Sequence, residues 1–305
     1  MGDTRAPFLL LAHHRSGSNL LNDLLQAHPC IECLNEPFSM HTPFFREHDL
    51  QPWAAGDFEP SRLHRHLPDG DDLRPFLHAF RDYLECSCAQ RVIGFKETGL
   101  FGKLGWLQAF MPRLKLILLW REPRAIVSSV LRSGLIDFWD YRELVPPAFR
   151  RLFPQAPPPR GAMGSREELA GLAAMSVATR YELARRALPG FEHLVVGLDD
   201  VVQRPGETLG ALARFLGVAP HPGPLQFLQG RQVASRGGTF SSVREPQRVT
   251  QGWQQHLGPS ELAAIEHVLA VAGWHDPAAV WARRGEWTKE TTPDGPEDAD
   301  PALSR

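Results

Sequence analysis

The sequence predicts an α/β fold in which a central parallel sheet is flanked by helices. Short apolar segments, each the length of one buried strand, recur along the 305 residues and are followed by helical or loop segments. Two of these segments end near an arginine and run directly into a helix, as strands of a parallel sheet do at its carboxyl edge. The predicted strands cover residues 8–12, 92–95, 116–120 and 193–197.

The turn after the first predicted strand reads R-S-G-S-N from Arg15 to Asn19. A strand, a small-residue turn and a helix make a P-loop-like layout. Backbone N–H groups from Ser16 to Leu20 would point at a bound oxyanion, and the helix dipole would favour its negative charge. Gly17 lets the backbone approach the anion closely. The turn is therefore predicted to be an anion cradle.

The helix after the cradle is predicted from leucines that repeat on one face, with Ser18 or Asn19 as its cap. The nucleotide triphosphate signature G-x-x-x-x-G-K-[ST] is absent, and the cation, Arg15, stands at the start of the turn. An ordinary kinase or ATPase is thus disfavoured. Taken alone, the turn is also compatible with a plain cap on a core helix.

A second strand-to-helix junction contains Arg121, Pro123 and Ser129. Pro123 suits the first turn of a helix, and Ser129 lies about two turns into it, where it could face back toward Arg121. Together Arg121 and Ser129 could hold a second phosphate. The alternative is that Arg121 only caps the helix or pairs with Glu122.

These two junctions resemble the sulfotransferase superfamily that uses 3′-phosphoadenosine 5′-phosphosulfate (PAPS), and more closely its bacterial NodH-like branch, with kinship to carbohydrate and tyrosylprotein sulfotransferases. The resemblance implies that residues 15–19 bind the 5′-phosphosulfate. It also implies that Arg121 and Ser129 bind the 3′-phosphate.

Three further segments are similar to the same family and extend the resemblance over most of the chain. The H-P…N-E-P segment implies that Glu36 is the catalytic base, and G-F-K-E-T implies that Lys96 is a second cation near the sulfuryl group. The S-V-R-E-P segment resembles a late loop that covers the nucleotide. Its implied cofactor contacts are Ser242, Val243 and Arg244.

One segment departs from the family pattern. Where many relatives read Y-E-D-L before a proline-started helix, this chain reads G-L-D-D-V-V-Q-R-P. A helix from Pro205 to Leu216 is still expected. Asp199 and Asp200 are expected to have surface or capping roles.

The resemblance implies a sulfotransferase that moves the sulfuryl group of PAPS to a hydroxyl group of a small molecule, namely a saccharide, a glycolipid or a specialised metabolite. No metal is needed. Glu36 would take the hydroxyl proton, and Arg15 and Lys96 would stabilise the developing charge. An ordinary salt bridge from Glu36 to Arg15 or Lys96 is the alternative, and His14 is a competing base.

Two other functions stay open at this point. The first is a nucleotide-dependent phosphotransferase with an arginine-led cradle, which should need Mg²⁺. The second is a non-catalytic nucleotide-binding protein that keeps the anion sites. Glu36 and Lys96 slightly disfavour the second function, because a non-catalytic nucleotide-binding protein does not need a carboxylate at the sulfuryl position.

Composition restricts the partners and the compartment. The formal net charge is −2, so a nucleic-acid-binding surface is not indicated. C-x-x-C and C-x-C pairs occur, yet their surroundings do not look like a zinc knuckle, and four cysteines without a signal peptide suggest a reducing compartment. No apolar run is long enough for a membrane span. A cytoplasmic enzyme is expected, and its oligomeric state is left open.

Residues 1–285 are expected to form one domain, followed by an acidic disordered tail over residues 286–305. Helical or loop insertions are expected over the site. Residues 39–72 and 137–165, which are rich in proline and aromatic residues, are expected to be loops there. Ser165 and Glu168 form a capping box that predicts a long helix toward Leu188. The candidate acceptor-pocket residues are Phe44, Phe45, Trp53, Phe138, Trp139 and Tyr141.

Overall fold

The computed structural model describes residues 5–38, 73–87, 91–134, 141–233, 251–277 and 287–288. Its sheet has the strand order β2-β3-β1-β4-β5-β6, with the first five strands parallel and β6 antiparallel to β5. The parallel α/β prediction is therefore confirmed. The strands are β1 (Phe8–Ala12), β2 (Ile31–Asn35), β3 (Val92–Glu97), β4 (Lys115–Trp120), β5 (His193–Gly197) and β6 (Trp287–Thr288).

Helices cover both faces of this sheet. They are α1 (Ser18–Gln26), α2 (Leu73–Glu85), α3 (Leu104–Phe110), α4 (Pro123–Ser133), α5 (Tyr141–Leu152), α6 (Arg166–Ala187), α7 (Leu198–Gln203), α8 (Pro205–Leu216), α9 (Gly223–Val233) and α10 (Pro259–Val271).

Strand β1 shows why the apolar runs become strands of a parallel sheet. All five of its residues are fully buried. Leu9 and Leu11 belong to the core that includes residues of α4 and α6, whereas Phe8, Leu10 and Ala12 belong to the core that includes residues of α1 and α8. Because both faces are covered, the strand is apolar at every position.

The strand order places a crevice at the carboxyl end of β1. The chain runs from β1 to the sheet edge at β2, returns to β3 beside β1, and then crosses to β4 on the other side. Ligands of open α/β sheets bind at such a change of direction. The turns that follow β1, β3 and β4 therefore meet at one place.

The start of α1 differs from the prediction that Ser18 or Asn19 caps it. Gly17 is the N-cap, with φ of 90°, and no side chain caps the helix. Glycine is required here for two reasons, because that φ is left-handed and because a Cβ atom would lie 2.6 Å from Leu198 Cδ1. Asn19 is then available to contact a neighbouring strand.

Helix α5 corrects the expectation of a loop insertion over residues 137–165, because it continues through Pro146 and Pro147. Interior prolines remove backbone hydrogen bonds and normally break a helix. Here Val145 and Phe149 are almost fully buried, and the helix packs on α6. Burial of this face outweighs the poor helix propensity of the prolines.

Other element predictions agree with the structure. Ser165 caps α6 by accepting a hydrogen bond from Glu168 N, as the capping box predicts. Helix α8 begins at Pro205 and ends at Leu216, as expected. Asp200 pairs with Arg204 at 2.6 Å, which is the surface role expected for it.

Strand β6 corrects the start of the acidic tail. Trp287 and Thr288 were expected to be disordered, but they pair with Leu194 and His193 of β5. An antiparallel edge strand needs only a free edge on β5, and an acidic composition nearby does not prevent it. The remainder of the tail, from residue 289, lies outside the described residues.

Candidate active site

The turn after β1 has the shape of an anion cradle. Arg15 has φ of 67° and Gly17 has φ of 90°, and Ser16 N donates a hydrogen bond to His13 O at 3.0 Å. Alternation of left-handed and ordinary residues turns successive N–H groups toward one concave side. Leu21 N donates to Gly17 O, so the N–H groups of residues 18–20 come before the first N–H group that donates within the helix. These groups are available to an oxyanion.

Ser16 provides a direct test of whether the cradle suits an anion. Its side chain is fully buried, and its Oγ has no hydrogen-bond partner among the residues that the structure describes. A buried hydroxyl without a partner costs free energy. An oxyanion bound in the turn would give this hydroxyl an acceptor, so Ser16 fits a phosphosulfate group. Leu20 could offer only its backbone N–H to an anion, since its side chain lies in the core beside α8.

Arg15, Arg121 and Ser129 form one cluster. Arg15 Nε donates to Ser129 Oγ at 3.1 Å, and Arg121 Nη1 donates to Arg15 O at 2.5 Å. The sequence prediction assigned Arg15 and the Arg121–Ser129 pair to different phosphates. The structure brings all three together at the junction of the two strand ends.

Helix α6 anchors the backbone of Arg121. Arg121 N donates to the Tyr181 hydroxyl on α6 at 3.0 Å, and burial raises the pKa of Tyr181, which therefore stays a neutral phenol. Glu122, the expected alternative partner of Arg121, instead pairs with Arg124. Arg121 Nη1 is directed at the cradle, where it binds Arg15 O.

Lys96, Glu36 and Asn19 form the second cluster. Lys96 Nζ lies 2.7 Å from Glu36 Oε1 and donates to Asn19 Oδ1, also at 2.7 Å. The Lys96 side chain is fully buried, whereas 25% of the Glu36 side chain is exposed. A buried ammonium must be paired, so the ion pair proposed as the alternative role of Glu36 does exist. The partly exposed carboxylate can still face a bound molecule.

The backbone at Glu36 is strained. Its φ is 48°, and Pro37 follows directly, which further limits its conformation. Arg15 and Glu36 are the two non-glycine residues with positive φ in the described parts of the chain, and both were predicted as site residues. Such conformations cost about 1–3 kcal/mol and persist where the surroundings enforce them, often at functional sites.

The two histidines before Arg15 lie against α6. Their ring centroids are 4.0 Å apart, His13 Nδ1 donates to His14 O at 2.7 Å, and His13 Nε2 lies 3.5 Å from Ser176 Oγ. Burial, followed by the positive charges of neighbouring residues, holds the pKa of both histidines well below the ordinary value of 6.5. His14 is therefore neutral at neutral pH, and its ring lies tilted by 36° against that of His13.

Three residues of the site were missed by the sequence prediction, namely Glu97, Arg180 and Tyr181. Arg180, on α6, is almost fully buried and binds Thr98 O just after β3. Glu97 is 4% exposed and accepts a hydrogen bond from Phe38 N at 2.7 Å. Burial, with a smaller effect of Glu36, raises the pKa of Glu97 to about 8.

The raised pKa of Glu97 predicts a pH-dependent stability. Between pH 4.5, the ordinary pKa of a glutamate, and about pH 8, the folded state holds one proton more than the unfolded state. Raising the pH therefore lowers the unfolding free energy, by up to about 1.4 kcal/mol per pH unit. The stabilisation of the fold by this proton is fully present below pH 4.5 and is lost as the pH rises through about 8.

Urea unfolding of the wild type and Glu97→Gln at several pH values across this window measures the effect. The wild type should lose stability relative to Glu97→Gln as the pH rises. A difference that does not change with pH would show that Glu97 is ionised in the folded state throughout.

Several predicted residues lie outside the described part of the chain. These are Ser242, Val243 and Arg244 of the nucleotide-covering loop and, among the acceptor-pocket candidates, Phe44, Phe45, Trp53, Phe138 and Trp139. Tyr141 begins α5, but its side chain is not among those described.

Among the residues that the structure describes, no group of three or more His, Cys, Asp or Glu side chains could hold a metal ion. Cys30, Cys33 and Cys86 are free thiols, and burial raises the pKa of Cys33. None of the described helices is long and apolar enough to cross a membrane.

Comparison with known proteins gives one family and a set of related folds. The sulfotransferase family model matches residues 7–222, which is more than two thirds of the chain. No curated protein matches. The sulfotransferase domain from the curacin biosynthetic pathway aligns with a TM-score of 0.51 and 16% identity, covering 88% of this chain and 99% of that domain. This likeness supports the fold.

Two other solved structures align at lower scores. The sulfotransferase domain from the Synechococcus PCC 7002 olefin synthase has a TM-score of 0.46 and 18% identity, covering 89% of this chain and 96% of that one. A mouse sulfotransferase complexed with PAP has a TM-score of 0.45 and 13% identity, covering 92% of this chain and 90% of that one.

Proposed function

The chain belongs to the sulfotransferase family, and from this premise we propose that it transfers the sulfuryl group of PAPS to a hydroxyl group of a small molecule. One observation carries the proposal. Lys96 Nζ lies 2.7 Å from both Asn19 of the cradle and the carboxylate of Glu36. A cation, an anion cradle and a partly exposed carboxylate therefore meet at one point, as transfer of an anionic group to a hydroxyl requires.

The chain offers two sets of groups for the two ends of the donor. The N–H groups of residues 18–20 and the Ser16 hydroxyl suit the 5′-phosphosulfate. Arg121 and Ser129 suit the 3′-phosphate, since guanidinium and hydroxyl groups bind phosphate oxygens directly. Arg15 contacts Ser129 and stands at the start of the cradle, so it would bridge the two ends.

The proposed reaction assigns one step to each side chain of the second cluster. Glu36 accepts the proton of the acceptor hydroxyl, whose oxygen attacks the sulfur while the bond from sulfur to the 5′-phosphate oxygen breaks. Lys96 and the cradle amides stabilise the charge that grows on this phosphate oxygen. General base catalysis contributes about 10²–10⁴-fold, and one well-placed charge-stabilising donor about 3–4 kcal/mol.

The proposal includes the family branch, the acceptor class and the cellular location of the enzyme. We place the chain in the NodH-like branch on the quoted motifs, and we expect a saccharide, glycolipid or specialised metabolite as acceptor. A cytoplasmic location is supported by the free thiols of Cys30, Cys33 and Cys86, because disulfides persist in oxidising compartments.

Donor turnover without metal tests this function. Formation of 3′-phosphoadenosine 5′-phosphate (PAP) from PAPS is followed in excess EDTA, with and without panels of saccharides, glycolipids and other hydroxyl compounds. We expect turnover that an acceptor stimulates and that EDTA leaves unchanged. Activity that requires ATP and Mg²⁺ would instead identify a phosphotransferase, since phosphoryl transfer relies on a bridging metal.

A further inference from the structure

We infer that Glu97 is a positioning residue that holds the strained Glu36 in its catalytic orientation by binding the backbone of Phe38. This inference rests on the proposed base role of Glu36. Glu97 itself is 4% exposed, and its carboxyl group accepts a hydrogen bond from the backbone of Phe38. Its effect on the reaction passes through residues 36–38.

The position of Glu97 follows from the alternation of a strand. Lys96 and Glu97 are consecutive on β3, so their side chains point to opposite faces of the sheet. Lys96 lies on the α1 face, where it contacts Asn19. Glu97 lies on the other face, beside Phe38 and Phe95.

Residues 36–38 wrap around the end of β3 from one face to the other. On the first face, Glu36 Oε1 lies 2.7 Å from Lys96 Nζ, and at the strand end Glu36 N donates to Lys96 O at 2.8 Å. On the second face, Phe38 N donates to Glu97 Oε1 at 2.7 Å. Two consecutive residues of β3 therefore hold both ends of this three-residue segment.

Burial makes the contact to Glu97 hard to replace. The Phe38 side chain is 2% exposed, and its ring packs 5.2 Å from the Phe80 ring and 5.8 Å from the Phe95 ring. Without the Glu97 carboxyl group, the N–H of Phe38 would lose its acceptor in a place that water does not reach easily.

The strain at Glu36 explains why this anchor matters for catalysis. A φ of 48° is unfavourable for a residue before proline, so the segment would relax if one of its ends were released. Relaxation would rotate Glu36 away from Lys96 and from the cradle. The hydrogen bond at Phe38 N thus stabilises the strained backbone conformation of Glu36.

The charges around Glu97 favour a neutral carboxyl group. The ionisable groups that face it are Glu36 and Lys96, and Lys96 is already paired with Glu36. Burial raises the pKa of Glu97 to about 8, so at neutral pH the protonated form accepts the Phe38 hydrogen bond without adding a second negative charge. Glutamine is likewise neutral and can accept the Phe38 hydrogen bond, whereas methionine fills the volume without an acceptor.

The experiment compares Glu97→Gln and Glu97→Met in the full chain. Glu182→Met serves as the matched control, because Glu182 is also 4% exposed but binds Arg185 and Arg186 on α6. Three quantities are measured: the hydrogen-exchange rate of the Phe38 amide without ligand, the affinity for PAP, and kcat for PAP formation from PAPS.

We expect Glu97→Met to speed exchange at Phe38 by about tenfold or more and to lower kcat by a similar factor, with little change in PAP affinity. Glu97→Gln should keep all three values within about threefold of the wild type. Glu182→Met should leave Phe38 exchange unchanged.

The inference is overturned if Glu97→Met leaves Phe38 exchange or kcat unchanged, or if Glu97→Gln is as damaging as Glu97→Met. It is also overturned if PAP affinity and kcat fall together, since this would indicate general unfolding. Absence of PAP binding and turnover in the wild type would contradict the proposed function, while the exchange rates would still report on the contact between Glu97 and Phe38.

Discussion

Replacement of Arg121 by alanine is expected to weaken PAP binding by about 10- to 150-fold, which corresponds to the loss of about 1.5–3 kcal/mol for hydrogen bonds to a charged group. Arg121 reaches the end of the cradle, where it donates to Arg15 O. The variant therefore removes a cation from the proposed 3′-phosphate site and also a support of Arg15. Calorimetric titration with PAP measures the change.

Arg186→Ala is the control for this prediction. Arg186 is a half-exposed cation near the end of α6, where it pairs with Glu182, and the chain then leads to the amino end of β5. This variant should bind PAP like the wild type. Equal effects of Arg121→Ala and Arg186→Ala would mean that only overall charge matters, and the assignment of Arg121 would be wrong.

Glu36→Gln is expected to lower kcat by about 10²–10⁴-fold while the affinity for PAP stays nearly unchanged. Glutamine keeps the size of Glu36 and an oxygen that Lys96 can contact, but it cannot take the proton from the hydroxyl group of the acceptor molecule. The effect should therefore fall on the chemical step. PAP formation at saturating PAPS and acceptor, together with calorimetry, separates the two quantities.

Glu32→Gln is the matched control, because Glu32 lies on β2, the strand that leads to Glu36, and binds Tyr83 and Arg91 instead of the site. Its kcat should equal that of the wild type. If Glu36→Gln kept full activity, the proton would have to leave by another route, and the neutral His14 would be the next residue to replace.

The main architecture could be predicted because its signals are local. Apolar runs identified four of the five parallel strands, and the cations after β1, on β3 and after β4 indicated the edge at which they meet. Parallel strands end at the same edge, so the neighbourhood of Arg15, Lys96 and Arg121 follows without knowledge of any contact.

The contacts within the site depend on conformations that residue types do not reveal. Arginine and glutamate rarely adopt positive φ, so nothing at Arg15 or Glu36 indicated the strained turns. Glu97 did carry a signal, since a charged residue next to Lys96 at a buried strand end must face the opposite core. The family motif, however, points only to Lys96.

Helix α5 and strand β6 were missed for a different reason, namely that tertiary packing overrides local preference. Two prolines argue against a helix, yet α5 buries Phe149 against α6. Trp287 and Thr288 stand at the start of an acidic segment, but the free edge of β5 accepts them. Neither partner surface can be recognised from the segment alone.

The most direct test of the account is calorimetric titration of the wild-type chain with PAP, 5′-AMP, ADP and ATP in the absence of metal. The account predicts binding of PAP at least about tenfold tighter than that of 5′-AMP, because Arg121 and Ser129 are assigned to the 3′-phosphate. Equal affinities for PAP and 5′-AMP, or a preference for ATP that appears with Mg²⁺, would contradict the proposed donor and the sulfotransferase mechanism derived from it.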